Sequence, residues 1–194
     1  MPSSTPRSVA EYLDLEQHAA ARHEYRSGEV VEVGGASLAH NTIVLNLGSE
    51  LRRLLEGRPE RAFVSDLRVS VPASALYAYP DVVVTNGSPA IEAHPADSLL
   101  NPLAIFEVLS PSTEAYDRGK KFEAYRTLPS LEHYILVAQD RVAVDHFRRS
   151  RRRSDGRGVE TWNLVARRQR EQLIELEPLD LSLALDDVYA GLSF

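Results

Sequence analysis

Apolar positions along the chain come in short runs separated by turn residues, and the spacing inside each run assigns it to helix or strand. Ser8-Val9-Ala10-Glu11 carries the spacing of a capping box and predicts a short helix through about residue 16. Runs at 24–26 and 29–33 flank Ser27-Gly28 and read as a hairpin, ended by Gly34-Gly35. Ser37 then caps a long amphipathic helix, with Val44, Leu47, Leu51, Leu54 and Leu55 at helical spacing. Strand-like runs follow at 62–65, 67–71 and 79–85, and 86–101 reads as a loop.

The stretch 103–109 is nearly continuous in apolar residues, the pattern of a central strand covered on both faces. A helix over 114–128 stops before Pro129, and 133–138 is a second buried-type strand. The run 141–148 pairs back onto it after a turn at Gln139-Asp140. An exposed basic loop at 149–158 comes next, then strand-like stretches at 160–165 and 172–176 and a short helix near 186–190. There is no internal repeat. The order predicts one α/β domain over 1–194, a central mixed β-sheet flanked by helices, with extra strands on the C-terminal side and a loose tail at 1–7.

Composition narrows the function classes. The 194 residues are 43% hydrophobic and 26% charged, which fits a single soluble domain. No apolar stretch approaches the about 20 residues that span a bilayer. Residues 1–16 lack the apolar region of a secretory signal. The expected setting is therefore cytoplasmic, without membrane contact. With no cysteine there is no disulfide, thiolate zinc site or cysteine nucleophile. A net charge of −6 argues against an all-over basic coat for gripping nucleic acid, though not against a local basic groove. Of the 22 basic residues only Lys120 and Lys121 are lysines, so any chemistry that needs a lysine must use one of them.

Two acids stand out by their surroundings. Asp81 lies in Tyr79-Pro80-Asp81-Val82-Val83-Val84 and Glu107 in Ala104-Ile105-Phe106-Glu107-Val108-Leu109, each a lone carboxylate in a run that reads as buried sheet. A buried carboxylate must be paired, protonated or bound to a metal. Salt bridges to nearby arginines at strand ends would account for either acid alone. Two such acids in neighbouring strands repel, and a divalent cation between them resolves the repulsion; hard oxygen ligands suit Mg²⁺ or Mn²⁺. On a wheel of about 100° per residue, Phe122, Tyr125 and Leu128 define an apolar stripe, with Lys121 about 40° from its centre and Lys120 about 140° away. Lys121 thus points toward the sheet, where desolvation is expected to depress its pKa, or else it snorkels at the stripe edge.

These residues resemble one bacterial family. Gly28-Glu29-Val30-Val31-Glu32, 36–41, Ser65-Asp66-Leu67-Arg68-Val69, Tyr79-Pro80-Asp81, Glu107-Val108-Leu109-Ser110-Pro111-Ser112-Thr113 and 117–125 together are similar to the Uma-type "putative restriction endonuclease" family of the PD-(D/E)XK nuclease superfamily. The resemblance covers roughly 8–148 and implies a restriction-endonuclease-like core, a mixed sheet of about four strands with a helix on each side. It implies Asp81 and Glu107 as metal-binding acids, with the Val108 backbone carbonyl as a further ligand. Leu109 stands where the superfamily lysine is expected, and Lys121 matches the helix lysine that replaces it. Glu24 and Glu29 match acids before the long helix and, with His40, are accessory candidates for the site.

The implied activity is Mg²⁺- or Mn²⁺-assisted hydrolysis of DNA by a homodimer, the dimer argued by analogy with enzymes that cut both strands. The rival is a catalytically silent nucleic-acid-binding or protein-interaction module on the same fold. RNA as substrate is a third reading. Arg148, Arg149, Arg151, Arg152 and Arg153 are candidates for gripping phosphates, although such a basic tip is as often merely solvated. His133 and His146 have no ligand spacing and read as structural, and no serine-hydrolase elbow or Gly-rich phosphate loop is present.

Overall fold

The strand Pro102–Leu109 is buried along its whole length, and the molecule is layered on its two faces. The computed structural model describes residues 7–92, 98–154 and 157–194; the side chains at 152–154, 157 and 158 lie outside that description, as do residues 1–6 of the tail expected at 1–7. In chain order come α1 (Val9–His18), β1 (His23–Arg26), β2 (Glu29–Glu32), α2 (Leu38–Leu54), β3 (Ala62–Val64) and β4 (Val69–Val71). Then follow β5 (Leu76–Ala78), β6 (Val82–Thr85), β7 (Pro102–Leu109), α3 (Glu114–Tyr116), a π turn (Asp117–Lys121) and α4 (Phe122–Tyr125). The chain closes with β8 (His133–Ala138), β9 (Val144–Ser154), β10 (Arg157–Arg167), β11 (Leu173–Leu176), β12 (Leu181–Ala184) and α5 (Leu185–Val188).

The main sheet has six strands in the order β10-β9-β8-β7-β6-β3, rather than about four. Only β7 and β8 run parallel; the other neighbours are antiparallel, so the sheet is mixed. A second sheet, β2-β1-β5-β4, is antiparallel throughout, and β11 pairs with β12.

Side chains alternate across a strand, so β7 feeds two cores. Phe106 and Val108 face α2, where Ile43, Val44, Leu47 and Leu51 meet Val82 and Val84. Ile105 and Leu109 face the opposite layer, with Tyr125, Leu128 and Tyr134. A third, aromatic cluster of Tyr12, Tyr25 and Tyr77 ties α1 to β1 and β5. Its helix starts as the capping box requires: Ser8 Oγ accepts from the Glu11 N–H, and Glu11 reaches back to the Ser8 N–H.

Four expectations change. The strand at 79–85 begins only at Val82, since Pro80 has no N–H to give a ladder. The strands β5 and β12 were not legible, being short runs beside other turns. The helix over 114–128 is interrupted by the π turn. The basic loop at 149–158 is, over its described residues, the far part of the β9–β10 hairpin. Across that ladder Trp162 stands opposite Arg149, whose guanidinium lies 4.8 Å from the indole centroid, so an aromatic platform makes an arginine-rich strand tenable.

The α2 packing yields a paired expectation. Leu47 is fully buried and Leu45, two residues away, is 68% exposed. Leu47→Ala should destabilise by about 2–5 kcal/mol and Leu45→Ala by no more than about 0.5 kcal/mol, read from urea unfolding.

Candidate active site

Ladder register sets the first two acids side by side. Val82 of β6 pairs with Phe106 of β7, and one step further out stand Asp81 and Glu107. The Val108 N–H donates to Asp81 Oδ2 at 2.7 Å, locking the two strand ends together. Glu107 shares the β7 face of Ile105 and Leu109, the side that the helical segment 114–125 covers. That segment drops Lys121 onto Glu107, with Nζ 2.9 Å from Oε1.

A third acid comes from the other sheet. Tyr25 turns into the aromatic cluster, so its neighbour Glu24 points to the opposite face and meets the same ammonium at 2.9 Å. Glu24 Oε2 is held in turn by Arg26, with Nη2 at 2.7 Å and Nε at 3.1 Å. Arg26 lies 3.7 Å from the centroid of the Tyr116 ring. The π turn adds Asp117, 3.6 Å from Lys121 Nζ; a single π turn inside a helix recurs at functional sites. Glu24, Glu107, Asp117 and Lys121 are all buried, and Lys120 is exposed.

His40, in the first turn of α2, stands with Nε2 3.2 Å from Asp81 Oδ1. Its backbone N–H is capped by Ser37 Oγ, while its Nδ1 is buried with no hydrogen-bond partner among the described residues. These groups line a cavity of about 590 Å³ walled by 31–37 on one side and by Ser110–Thr113 with Tyr116 on the other.

The electrostatics follow from burial. Desolvation pushes the Glu107 carboxyl well above the ordinary carboxylate range, against the pull of Lys121. Burial raises Asp117 as well. It acts on Glu24 too, but Lys121 and Arg26 outweigh it and hold that carboxyl low. The depressed lysine expected from sequence is corrected here: burial does act to lower Lys121, yet Glu107 and Glu24 together hold it well above its usual value. These two acids thus favour the charged form of Lys121.

Among the described residues no three Asp, Glu or His side chains stand as a ready-made metal cage. The donor chemistry nonetheless fits a hard divalent ion. Four inner carboxyl groups, Glu24, Asp81, Glu107 and Asp117, share the lining with the cationic side chains of Lys121 and Arg26, and oxygen donors of this kind suit such an ion.

Other candidates sit elsewhere. Glu29 is exposed and outside this cavity, beside a separate depression with Ser27 and Lys120. The arginines read as phosphate grips have partners within the chain. Arg149 is 2% exposed at its side chain and donates to the carbonyls of Arg126, Leu128 and Pro129. Arg148 pairs with Glu175 and Glu177, and Arg151 with Glu132 and Glu160. The side chains of Arg152 and Arg153 lie outside the described residues. His133 and His146 form a buried pair 3.0 Å apart, where burial pushes His133 down to about 4. Sequence reasoning missed Asp117 and Tyr125, whose hydroxyl lies 3.4 Å from Glu107 Oε1. Both follow from the lysine by helical spacing, since each stands four residues from Lys121.

Lys121→Met should leave Glu107 and Asp117 without their cation, Glu24 keeping Arg26, and cost about 3–5 kcal/mol. Adding Glu107→Gln should return part of that loss by removing one of the stranded charges. Urea unfolding of both variants in chelator reads the difference, and a double variant no more stable than Lys121→Met would contradict it.

Similarity to known proteins bears on the fold and the family. A solved structure from Anabaena variabilis, described as "a putative nuclease belonging to DUF820", superposes with a TM-score of 0.73 over 95% of this chain and 98% of that one, at 19% identity. It shows a shared fold. Two Synechocystis proteins, both described as uncharacterized, are 37% identical over 142 residues and 35% identical over 187 residues. The first alignment covers 73% of this chain and 80% of the relative, the second 96% and 93%. The family model Uma2, described as "Putative restriction endonuclease", matches residues 9–186, and the chain belongs to that family.

Proposed function

We propose that the chain hydrolyses DNA phosphodiester bonds with Mg²⁺ or Mn²⁺ as cofactor. The observation that carries this reading is the inner cluster: a fixed lysine ammonium among buried acids, beside Asp81, at the base of one cavity. The family description supports it, and the fold is shared with the Anabaena protein described as "a putative nuclease". Asp81, Glu107 and the Val108 carbonyl would hold the ion, which when bound lowers the pKa of a coordinated water and neutralises charge on the phosphate.

The chain's own residues have separable tasks. Asp81 is pre-oriented, one oxygen on the Val108 N–H and the other near His40, so little reorganisation is left at the moment of reaction. Lys121 keeps its proton and offers N–H donors to charge developing on the phosphate oxygens. Glu24 and Asp117 hold that ammonium in place. His40 is a positioning residue acting through Asp81.

Calorimetric titration of Mg²⁺ and Mn²⁺ tests the assignment. Binding to the native chain should vanish in Asp81→Ala and in Glu107→Ala, and DNA cleavage should vanish with it. Binding that neither change disturbs would favour the silent module. His40→Ala should weaken metal binding by about 10–100-fold, the usual effect of removing an outer-shell partner; unchanged affinity would remove His40 from the site.

A further inference from the structure

Resting on that reading, we infer that the scissile DNA enters this site as a single strand or a frayed end rather than as continuous duplex. The reactive groups are enclosed: the side chains of Glu107 and Lys121 are only 5% and 6% exposed. The cavity they line, about 590 Å³, is also lined by 31–37, 110–113 and Tyr116. Cavities of about 300–1,000 Å³ take one ligand of drug size, which is the size of a nucleotide. A duplex is stiff over about 150 base pairs and carries its phosphates on a convex outer surface. To reach side chains this enclosed, a phosphate must enter the cavity, which outward-facing phosphates on a stiff rod do less readily. A single strand turns freely about its backbone bonds and can fold one phosphate inward.

Charge points the same way. Holding duplex without sequence reading depends on many Lys and Arg side chains laid on phosphates. Here Arg26 is engaged by Glu24 and Tyr116, Glu32 adds a negative group to the cavity lining, and Arg148, Arg149 and Arg151 have acids or carbonyls of their own. The net charge is −6. Tyr79 and Tyr116 are among the lining residues, with Arg26 on one face of the Tyr116 ring and the Tyr79 hydroxyl donating to Glu16. Stacking on an aromatic ring is open to a base that has left its helix and closed to one inside it. A single-strand substrate also needs one active centre only, so the two-strand argument for a homodimer does not apply to it.

The test compares three end-labelled DNAs of one sequence with the native chain in Mg²⁺ or Mn²⁺: the free strand, its blunt duplex, and a duplex with an unpaired fork. The free strand and the fork arms should be cut with kcat/KM at least about tenfold above the duplex, the scale of stacking one base, with cuts confined to unpaired positions. Duplex cut equally fast or faster overturns this inference and leaves the nuclease reading standing. No cleavage of any of the three by metal-loaded protein overturns both.

Discussion

A buried ammonium is tenable only where anions surround it, and buried anions are tenable only around a cation. Lys121 and its three carboxylates meet both conditions at once, and the rest of the architecture is arranged to deliver them. Glu107 comes from the central strand, Glu24 from the second sheet, and Asp117 from the helix that carries the lysine itself. Three independent parts of the fold therefore converge on one nitrogen. Each part is anchored by its own apolar packing: the two faces of β7, the Tyr12–Tyr25–Tyr77 cluster, and the Tyr125–Leu128 layer.

The balance is deliberately incomplete on the acidic side. Asp81 stands outside the lysine's reach and is held by a backbone N–H and a histidine, leaving the inner acids in excess. Burial is the main cause of the raised Glu107 carboxyl, and the neighbouring acids Asp117, Asp81 and Glu24 add to it against the pull of Lys121.

Arginine content gave a different lesson. The chain uses arginine almost exclusively for positive charge, and a run of it between two strands looks like a nucleic-acid grip. In the structure, the described arginines of that run brace the fold. Arg149 ties the hairpin to the turn after α4 through three carbonyls and stacks on Trp162, and Arg151 reaches Glu132 across the same junction. A guanidinium donates in a flat fork and tolerates burial better than an ammonium, which suits it to this bracing.

Periodicity in the sequence determined most of the layer plan, because burial of a strand or a helix face writes itself into the local spacing of apolar residues. The capping box at Ser8, the amphipathic α2, the doubly buried β7 and the inward side of Lys121 are all of this local kind. So are Asp81 and Glu107, conspicuous as charges inside apolar runs. Tertiary structure alone decided what distance in the chain conceals. Glu24 reads as a solvated turn-flanking acid, and only the packing of the second sheet carries it to a lysine 97 residues on. The pKa of Lys121 likewise reversed its expected direction, since desolvation is a property of one residue's burial while the compensating charges come from three segments that only the fold brings together.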